Sequence, residues 1–213
     1  MINIYPSLIA GDLLNLQSVI EQLEPYSAGF HIDIMDNHFV PNLTWGAAMT
    51  NAIAKTTKKP LWIHLMVDDP TTWIDKFITP QDSIITIHIE SQGNIKDVLQ
   101  NIKKKDLKAG LAINPNTTLE SINDYLPIID QLLIMSVEPG FSGQKFIENS
   151  IKKVEKAVQL KNEHNYNYKV ALDGGIDKNK IQLLKNKEIT DFAVGSALFK
   201  QHNIIEAIKQ LKK

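Results

Sequence analysis

The chain contains 213 residues, of which 23 are Lys or Arg and 24 are Asp or Glu, so its formal net charge is −1. This balance gives no general attraction for nucleic acid or an anionic membrane, and any phosphate group must therefore be bound by a local site. There are no cysteines. Disulfides and thiolate ligands are thereby excluded, which leaves His, Asp and Glu for any metal.

The N-terminal residues 1–7 have the pattern of a strand and lack the basic start and long apolar core of a signal peptide. No apolar run approaches the roughly 20 residues that are needed to cross a bilayer. These features predict a cytoplasmic protein with neither a nucleic acid nor a membrane as partner.

Short apolar runs rich in β-branched residues alternate with longer stretches of helical period along the whole chain. The run from Ser83 to Ile87 has the pattern of a strand buried on both faces, which is typical of parallel strands covered by helices. The predicted strands are Ile2–Leu8, Gly29–Ile34, Pro60–Met66, Ser83–His88, Leu107–Ile113, Gln131–Met135, Lys169–Leu172 and Asp191–Val194.

Each predicted strand is followed by a predicted helix, and the cations of Lys103 to Lys105 suit the negative end of the fourth helix. This alternation predicts an α/β fold, a single-domain (β/α)8 TIM barrel with parallel strands over residues 1–213. An open doubly wound sheet is the alternative. The predicted helices are Leu13–Leu23, Gly46–Lys55, Pro70–Phe77, Ile95–Lys104, Thr118–Tyr125, Ile147–Glu163, Lys178–Asn186 and Ile204–Leu211.

Polar residues with metal-binding side chains fall at the ends of several predicted strands, where barrels carry their chemistry. His31 and Asp33 are two apart on one strand and share a face. With His64 and Asp173 they form a donor set suited to one divalent ion, Zn²⁺, Fe²⁺, Mn²⁺ or Co²⁺. A single strand histidine is more often a hydrogen-bonded core residue, so the prediction depends on all four together.

Two further histidines, His38 and His88, fit that ordinary structural role better. Either could instead orient a metal ligand through a hydrogen bond.

Glycines follow the predicted strands six, seven and eight, at residues 140–144, at Gly174-Gly175 and at Gly195-Ser196. The last two sites lie where barrels bind phosphate through backbone N–H groups, and the first could close over a ligand. Any one of them fits a simple turn. Three on adjacent strands favour a ligand site.

Three of the five methionines, Met35, Met66 and Met135, lie at or just past predicted strand ends. Each alone would be assigned to core filling. Together they predict an apolar wall that keeps water from a reacting carbon and lines its intermediate.

As a set, these residues closely resemble ribulose-phosphate 3-epimerases, and the resemblance covers nearly the whole chain. No single piece is specific, whereas the combination is. The matching stretches are Tyr5–Leu8, His31–Asp36, His38–Asn42, His64–Met66, Pro139–Phe141, Gly143–Phe146, Asp173–Ile176 and Gly195–Phe199.

The resemblance implies a TIM-type barrel that interconverts D-ribulose 5-phosphate and D-xylulose 5-phosphate in the pentose phosphate pathway. It implies that His31, Asp33, His64 and Asp173 bind the metal and that Asp33 and Asp173 also act as acid and base. A homo-oligomer, dimer or hexamer, is expected. The implied substrate-binding residues are Ser7, His64, Gly140, Phe141, Ser142, Gly143, Gly174, Gly175, Gly195 and Ser196.

The sequence departs from the family pattern at three positions, with Asn37 and Ser142 replacing glycine and Glu138 replacing asparagine. Asn37 is tolerated in a left-handed conformation. Ser142 would be strained if its φ were positive. Glu138 adds a negative charge near the predicted closing loop.

Inverting a carbon next to a ketone requires proton removal on one face and delivery on the other, which favours two opposed carboxylates.

Allulose-6-phosphate 3-epimerases are an alternative, because residues 30–36 also look like theirs. A metal-dependent hydrolase and a non-catalytic phosphosugar-binding protein are alternatives of other classes. A Schiff-base aldolase would need an inward strand lysine, for which there is no persuasive candidate.

Overall fold

The computed structural model describes residues 2–213, and Met1, the start of the segment predicted as a strand, lies outside them. Eight parallel strands pair in the order β1-β8-β7-β6-β5-β4-β3-β2. A parallel bridge between Ser7 and His31 brings the ends of β1 and β2 together and closes the ring. The strands are β1 Asn3–Pro6, β2 Phe30–Met35, β3 Leu61–Met66, β4 Ile84–His88, β5 Lys108–Ile113, β6 Gln131–Met135, β7 Lys169–Asp173 and β8 Ile189–Val194.

This arrangement confirms the predicted (β/α)8 TIM barrel and excludes the open sheet. All eight predicted strands are present, with shifted ends. The first ends at Pro6 rather than Leu8, β7 extends to Asp173, and β8 begins at Ile189 rather than Asp191.

Seven α-helices pack around the strands of the described chain, and most coincide with predicted helices. The first starts at Leu16 rather than Leu13, and the run Lys103–Lys105 lies at a helix end as predicted. The helices are α1 Leu16–Leu23, α2 Ala47–Ala54, α3 Ile95–Lys104, α4 Asn149–Glu163, α5 Lys178–Leu184, α6 Ser196–Phe199 and α7 Ile204–Leu211.

Two predicted helices are wrong, because the segments Pro70–Phe77 and Thr118–Tyr125 contain only short 3-10 turns, Ile74–Lys76 and Leu119–Ile122. In the first segment the Asn51 side chain accepts from Ile78 N and donates to the Lys76 carbonyl, which ends the turn early. In the second segment the chain runs into Leu126-Pro127, and the residue before a proline avoids helical geometry.

Alternate residues of each strand face opposite sides of the barrel wall. In β2, Phe30, Ile32 and Ile34 join the apolar layer between strands and helices. His31 and Asp33 take the opposite face and point into the barrel. The strand is buried along its whole length. The apolar residues of β2 therefore pack against the helices, and its polar residues face the barrel interior.

The amino-terminal end of the barrel interior contains a hydrogen-bonded polar network. Asn3 and Gln131 donate to the buried carboxylate of Asp191, at 2.8 and 3.2 Å. Thr86 bonds to Gln131 and accepts from the Trp62 indole. This end of the barrel is thus closed by polar side chains that satisfy one another.

Within residues 2–213, no helix has the length and apolar character needed to cross a membrane.

Candidate active site

The strand register brings the four predicted metal ligands to the carboxyl end of the barrel. Asp33 of β2 lies directly beside His64 of β3, and His31 lies two residues before Asp33 on the same face. Asp173 is the last residue of β7 and lies beside Met135 of β6. The Ser136 hydroxyl bonds to the Asp173 carbonyl oxygen at 2.8 Å and fixes this strand end.

The four side chains meet at one point. The Nε2 atom of His31 lies 3.0 Å from Oδ1 of Asp33 and 3.5 Å from Oδ2 of Asp173. The Nδ1 atom of His64 lies 3.3 and 3.5 Å from the same two oxygens. One donor atom from each residue can be chosen so that all four lie within 4.8 Å of one another.

This donor set fits a divalent metal. Two imidazole nitrogens and two carboxylate oxygens suit Zn²⁺, Mn²⁺, Fe²⁺ or Co²⁺. The lone pairs of His31 Nε2 and His64 Nδ1 point to the same space as the carboxylates. Both histidines are fully buried, so their rings are held by packing and the site is preorganised. The cluster could therefore hold one metal ion.

The electrostatics of the cluster favour bound positive charge. Burial lowers the pKa of the His31 imidazole, but Asp33 and Asp173 outweigh burial and raise it to about 10. His64 is also raised in pKa, because hydrogen bonds to both carboxylates again exceed the effect of burial. Burial acts to raise the pKa of Asp33 and Asp173, yet the histidines hold both below their usual range. Metal binding would displace the imidazole protons.

A cavity of about 250 Å³ opens above the cluster. Because pockets for drug-sized ligands have roughly 300–1,000 Å³, this volume suits a smaller metabolite. The cavity lining includes both carboxylates, all three predicted methionines and every predicted substrate-binding residue except His64. Those lining residues are Ser7, Asp33, Met35, Met66, Met135, Gly140, Phe141, Ser142, Gly143, Asp173, Gly174, Gly175, Gly195 and Ser196. His31 and His64 lie buried beneath the two carboxylates, outside the lining.

The walls of the cavity differ in polarity. Met35, Met66 and Met135 are at most 5% exposed and form an apolar wall, the first two packed with Val40. On the other side the Ser7 hydroxyl donates to Oδ2 of Asp33 at 2.7 Å. A small polar ligand in this cavity would therefore meet carboxylates on the floor and thioethers at the side.

Glycine turns after β7 and β8 form another part of the cavity. Gly174 and Gly175 follow β7 with φ of 111° and 62°. Gly195 precedes α6, which begins at Ser196. These adjacent turns bring unsubstituted backbone to the cavity, as phosphate-binding loops do.

A loop after β6, residues 139–144, covers one side of the cavity and is called here the lid loop. The amide of Gln144 donates to the carbonyl oxygens of Glu138 and Phe141, at 2.6 and 2.9 Å. The Asn42 amide, from the loop after β2, donates to the Gly140 carbonyl at 2.6 Å. Phe141 is 56% exposed. The lid loop is thus held at its base and free at its tip.

The three departures from the family pattern have different structural consequences. Asn37 is left-handed, with φ of 60°, as its residue type allows. Ser142 has no positive φ, so the expected strain does not arise. The exposed carboxylate of Glu138 bonds to Asn116 and does not line the cavity.

His88, for which the sequence favoured an ordinary structural role, and Glu90, which was not among the predicted site residues, both contact the cluster or its neighbours. His88 Nε2 lies 2.8 Å from Nε2 of His64, and His88 Nδ1 lies 3.1 Å from Oε2 of Glu90. Burial lowers the pKa of His88 to about 4, so this ring is neutral at neutral pH. The pattern of a histidine and a glutamate two apart at a strand end was the available signal. His38 is exposed, and its ring bonds only to the Asp36 carbonyl oxygen among the described residues.

Comparisons with known proteins identify the family of the chain. The profile of the ribulose-phosphate 3 epimerase family matches residues 3–199. The ribulose-phosphate 3-epimerase of Aquifex aeolicus is 37% identical over 211 residues, covering 97% of this chain and 94% of the relative. That of Treponema pallidum is 35% identical over 195 residues, covering 91% of this chain and 89% of the relative.

Among solved structures, KGPDC from Streptococcus mutans matches with a TM-score of 0.73 and 13% identity, over 100% of this chain and 96% of that one. This likeness shows the barrel fold alone. The fold and the site together define a barrel enzyme with converging histidines and aspartates at its strand ends. The chain belongs to the ribulose-phosphate 3-epimerase family and is an isomerase.

Proposed function

We propose that this enzyme is metal-dependent and interconverts D-ribulose 5-phosphate and D-xylulose 5-phosphate by two-base proton transfer at C3. One observation carries the proposal. Asp33 and Asp173 come from strands at different positions around the ring, belong to the same four-residue donor set, and both reach the cavity. The family relationship supports the epimerase reaction.

In this mechanism one carboxylate removes the C3 proton from one face of the ketose phosphate, and the other carboxylic acid delivers a proton to the opposite face. Asp33 and Asp173 must therefore begin each turnover in opposite protonation states. Their two pKa values cannot be assigned to one carboxylate each, because both carboxylates contact His31 and His64. The Ser7 hydroxyl, bonded to Asp33 Oδ2, is placed to orient this carboxylate and to contact substrate.

His31, Asp33, His64 and Asp173 would hold the metal, which when bound would stabilise the negative charge of an ene-diolate. The apolar wall of Met35, Met66 and Met135 would exclude water from the planar carbon without offering a competing proton. Exclusion of water matters because a solvent proton added to the face from which the C3 proton was removed would regenerate the starting epimer.

We assign the phosphate to the glycine turns after β7 and β8. A net charge of −1 gives no general attraction for an anion, so local N–H donors around Gly174, Gly175, Gly195 and Ser196 must supply it. The lid loop, with Gly140 to Gly143, would close over the bound sugar. A phosphosugar complex with its phosphate at the opposite rim of the cavity would contradict this assignment.

The deciding experiment is turnover of ribulose 5-phosphate and of allulose 6-phosphate by the same preparation, with its metal content measured. We expect the five-carbon substrate to be used with the higher kcat/KM, and we expect activity to be lost with a chelator and restored by a divalent ion. Preference for the six-carbon substrate would assign the enzyme to that alternative. Binding without turnover would instead indicate a phosphosugar-binding protein.

Asp33→Asn and Asp173→Asn test the two bases directly. Each should abolish epimerisation, while one base survives on one face and can still exchange the C3 proton of a single epimer. Metal occupancy must be measured first, because both residues are also proposed ligands. Near-normal turnover in either variant would rule out that residue as an essential base.

We further propose, as the family resemblance implies, that the enzyme acts in the cytoplasmic pentose phosphate pathway as a homodimer or homohexamer. Light scattering of the purified protein measures the oligomeric state.

A further inference from the structure

A row of side chains leads from the buried metal cluster to the loop after β5. His64 presents Nδ1 to Asp33 and Asp173 and Nε2 to His88, at 2.8 Å. The other ring nitrogen of His88 lies 3.1 Å from Glu90 Oε2. Both histidines are fully buried. The two-base reaction described above uses neither His88 nor Glu90.

The Glu90 carboxylate, at the outer end of this row, determines which atom donates in each hydrogen bond. The Glu90 carboxylate can only accept, so His88 must donate from Nδ1. In a neutral imidazole the other nitrogen is then an acceptor. His64 must therefore donate from Nε2, which leaves the lone pair of its Nδ1 directed at the space between Asp33 and Asp173. The carboxylate thus selects the tautomer of His64 that a metal ligand needs.

Glu90 itself is fixed from the other side. Its Oε1 atom accepts from the backbone N–H of Asn114 at 2.8 Å and from the Thr117 hydroxyl. The Lys153 ammonium donates to the carbonyl oxygens of Asn114, Pro115 and Thr117, at 3.0, 2.8 and 2.6 Å. The loop after β5 is thereby tied to α4. A carboxylate held in this way cannot rotate away from His88.

The His88 ring is also held by packing. The Phe39 ring packs against it with ring centroids 4.7 Å apart, and the His64 ring meets it edge to edge, with centroids 5.0 Å apart and an interplanar angle of 22°. The ring therefore has one available orientation, and that orientation aims Nε2 at His64.

We propose that His88 and Glu90 are positioning residues that set the tautomer and orientation of His64 and strengthen it as a metal ligand. This inference rests on the proposed function, since it requires that His64 bind the metal. Partners of this kind typically change metal affinity by about 10- to 100-fold when they are removed.

The test is the dissociation constant for Zn²⁺, measured by chelator competition in the full-length protein. Glu90→Gln cannot accept from both His88 and Asn114, because one of its two atoms is now a donor, and it should weaken Zn²⁺ binding by about 10-fold or more. Glu148→Gln, at an exposed carboxylate on the surface, is the matched control and should bind as the wild type does.

A pair of substitutions at His88 separates hydrogen bonding from packing. The amide of His88→Gln can accept from His64 and donate to Glu90, so it should retain much of the affinity that His88→Leu loses. The unfolding temperature of each metal-free variant shows whether it is folded. Equal loss of affinity in both folded variants would overturn the hydrogen-bond assignment.

Nuclear magnetic resonance of the ¹⁵N-histidine-labelled, Zn²⁺-loaded wild type needs no variant at all. His64 should carry its proton on Nε2 and His88 on Nδ1. The opposite tautomers, or unchanged Zn²⁺ affinity in folded Glu90→Gln, would overturn the proposal. A wild type that binds no Zn²⁺ and epimerises without metal would instead contradict the proposed metal dependence, which the wild-type measurement detects first.

Discussion

Gly174 is the residue at which backbone geometry and close packing act together. Its φ is 111°, and an added Cβ would lie 2.4 Å from Cγ2 and 2.9 Å from the backbone nitrogen of Val137. The chain can turn from Asp173 towards the cavity here only because no side chain is present. The conformation that places the carboxylate of Asp173 thus depends on the residue that follows it.

Gly174→Ala should therefore destabilise the fold and displace the end of β7. We expect a loss of about 2–4 kcal/mol in the free energy of unfolding, from overpacking and positive-φ strain together. Urea denaturation measures this loss, and kcat/KM should fall with it.

Gly46→Ala is the matched control, because an added Cβ there would meet only Trp73 at an ordinary 3.7 Å. It should cost less than about 1 kcal/mol, as expected at a helix N-cap. Equal effects of the two substitutions would show that the close approach of Gly174 to Val137 carries no energetic weight.

At the scale of elements, the Asp36 carboxylate links the loops after β2 and β3. It accepts from the backbone N–H groups of His38, Phe39 and Asp68, at 2.8, 3.0 and 2.8 Å. Burial would raise the pKa of Asp36, but these backbone amides outweigh burial and hold it below the ordinary 3.8. The stabilisation is then fully present above the unfolded pKa and is lost as the pH falls through the folded pKa.

Asp36→Ala should accordingly lower the free energy of unfolding by about 1–3 kcal/mol at pH 7, with a difference from wild type that shrinks below pH ~4. Denaturation across pH measures it, with the exposed Asp124→Ala as control. A deficit that stays constant into strong acid would mean that the ionised carboxylate is not the source.

The lid loop is an element whose shape depends on side chains bonded to its own backbone. Gln144→Ala removes two hydrogen bonds, to Glu138 and Phe141. At a net value of about 1 kcal/mol each, this should reduce kcat/KM by about five- to thirty-fold. Stability should change little, because the loop lies at the surface.

The exposed Gln159, which bonds to Glu163 on α4, provides the matched control as Gln159→Ala. Steady-state kinetics with both variants tests the lid loop. A wild-type value of kcat/KM in Gln144→Ala would contradict a role for the lid loop in holding substrate.

At the scale of the whole molecule, the two ends of the barrel contain different kinds of polar residues. The buried network of Asn3, Gln131 and Asp191 lies at the amino-terminal ends of the strands, and the His–Asp cluster lies at their carboxyl ends. In barrels of this kind the carboxyl end carries catalysis and the other end carries stability.

Gln131→Leu should therefore destabilise the protein without changing kcat. It removes a donor to the buried Asp191 carboxylate and should cost about 1–3 kcal/mol. Gln17→Leu, on the exposed face of α1, is the control and should cost much less. A large fall in kcat of folded Gln131→Leu would contradict the separation.

Much of this architecture could be predicted from the sequence because the signals were local. Apolar runs mark the strands, and the polar residues that interrupt them, such as His31, Asp33 and His64, lie at the carboxyl end where a barrel concentrates its chemistry. Once eight strand–helix units were recognised, the convergence of these side chains followed from the ring.

The features that could not be predicted depend on contacts between distant segments. Asn42 bonds to Gly140 across 98 positions of the chain, and no periodicity reports such a contact. The turn at Ile74–Lys76 ends where Asn51 of α2 binds its last carbonyl. The position of Glu90 beside His88 depends on contacts with the loop after β5, which Lys153 of α4 holds in place.

The proposed roles of Asp33 and Asp173 as bases on opposite faces of the substrate are tested most directly by epimerisation of ribulose 5-phosphate in deuterated water, stopped at low conversion. With two bases, the xylulose 5-phosphate formed should carry solvent deuterium at C3, while the recovered ribulose 5-phosphate remains unlabelled. Product that retains its original C3 proton, or equal labelling of both sugars, would show that a single base serves both faces and would contradict the two-carboxylate mechanism.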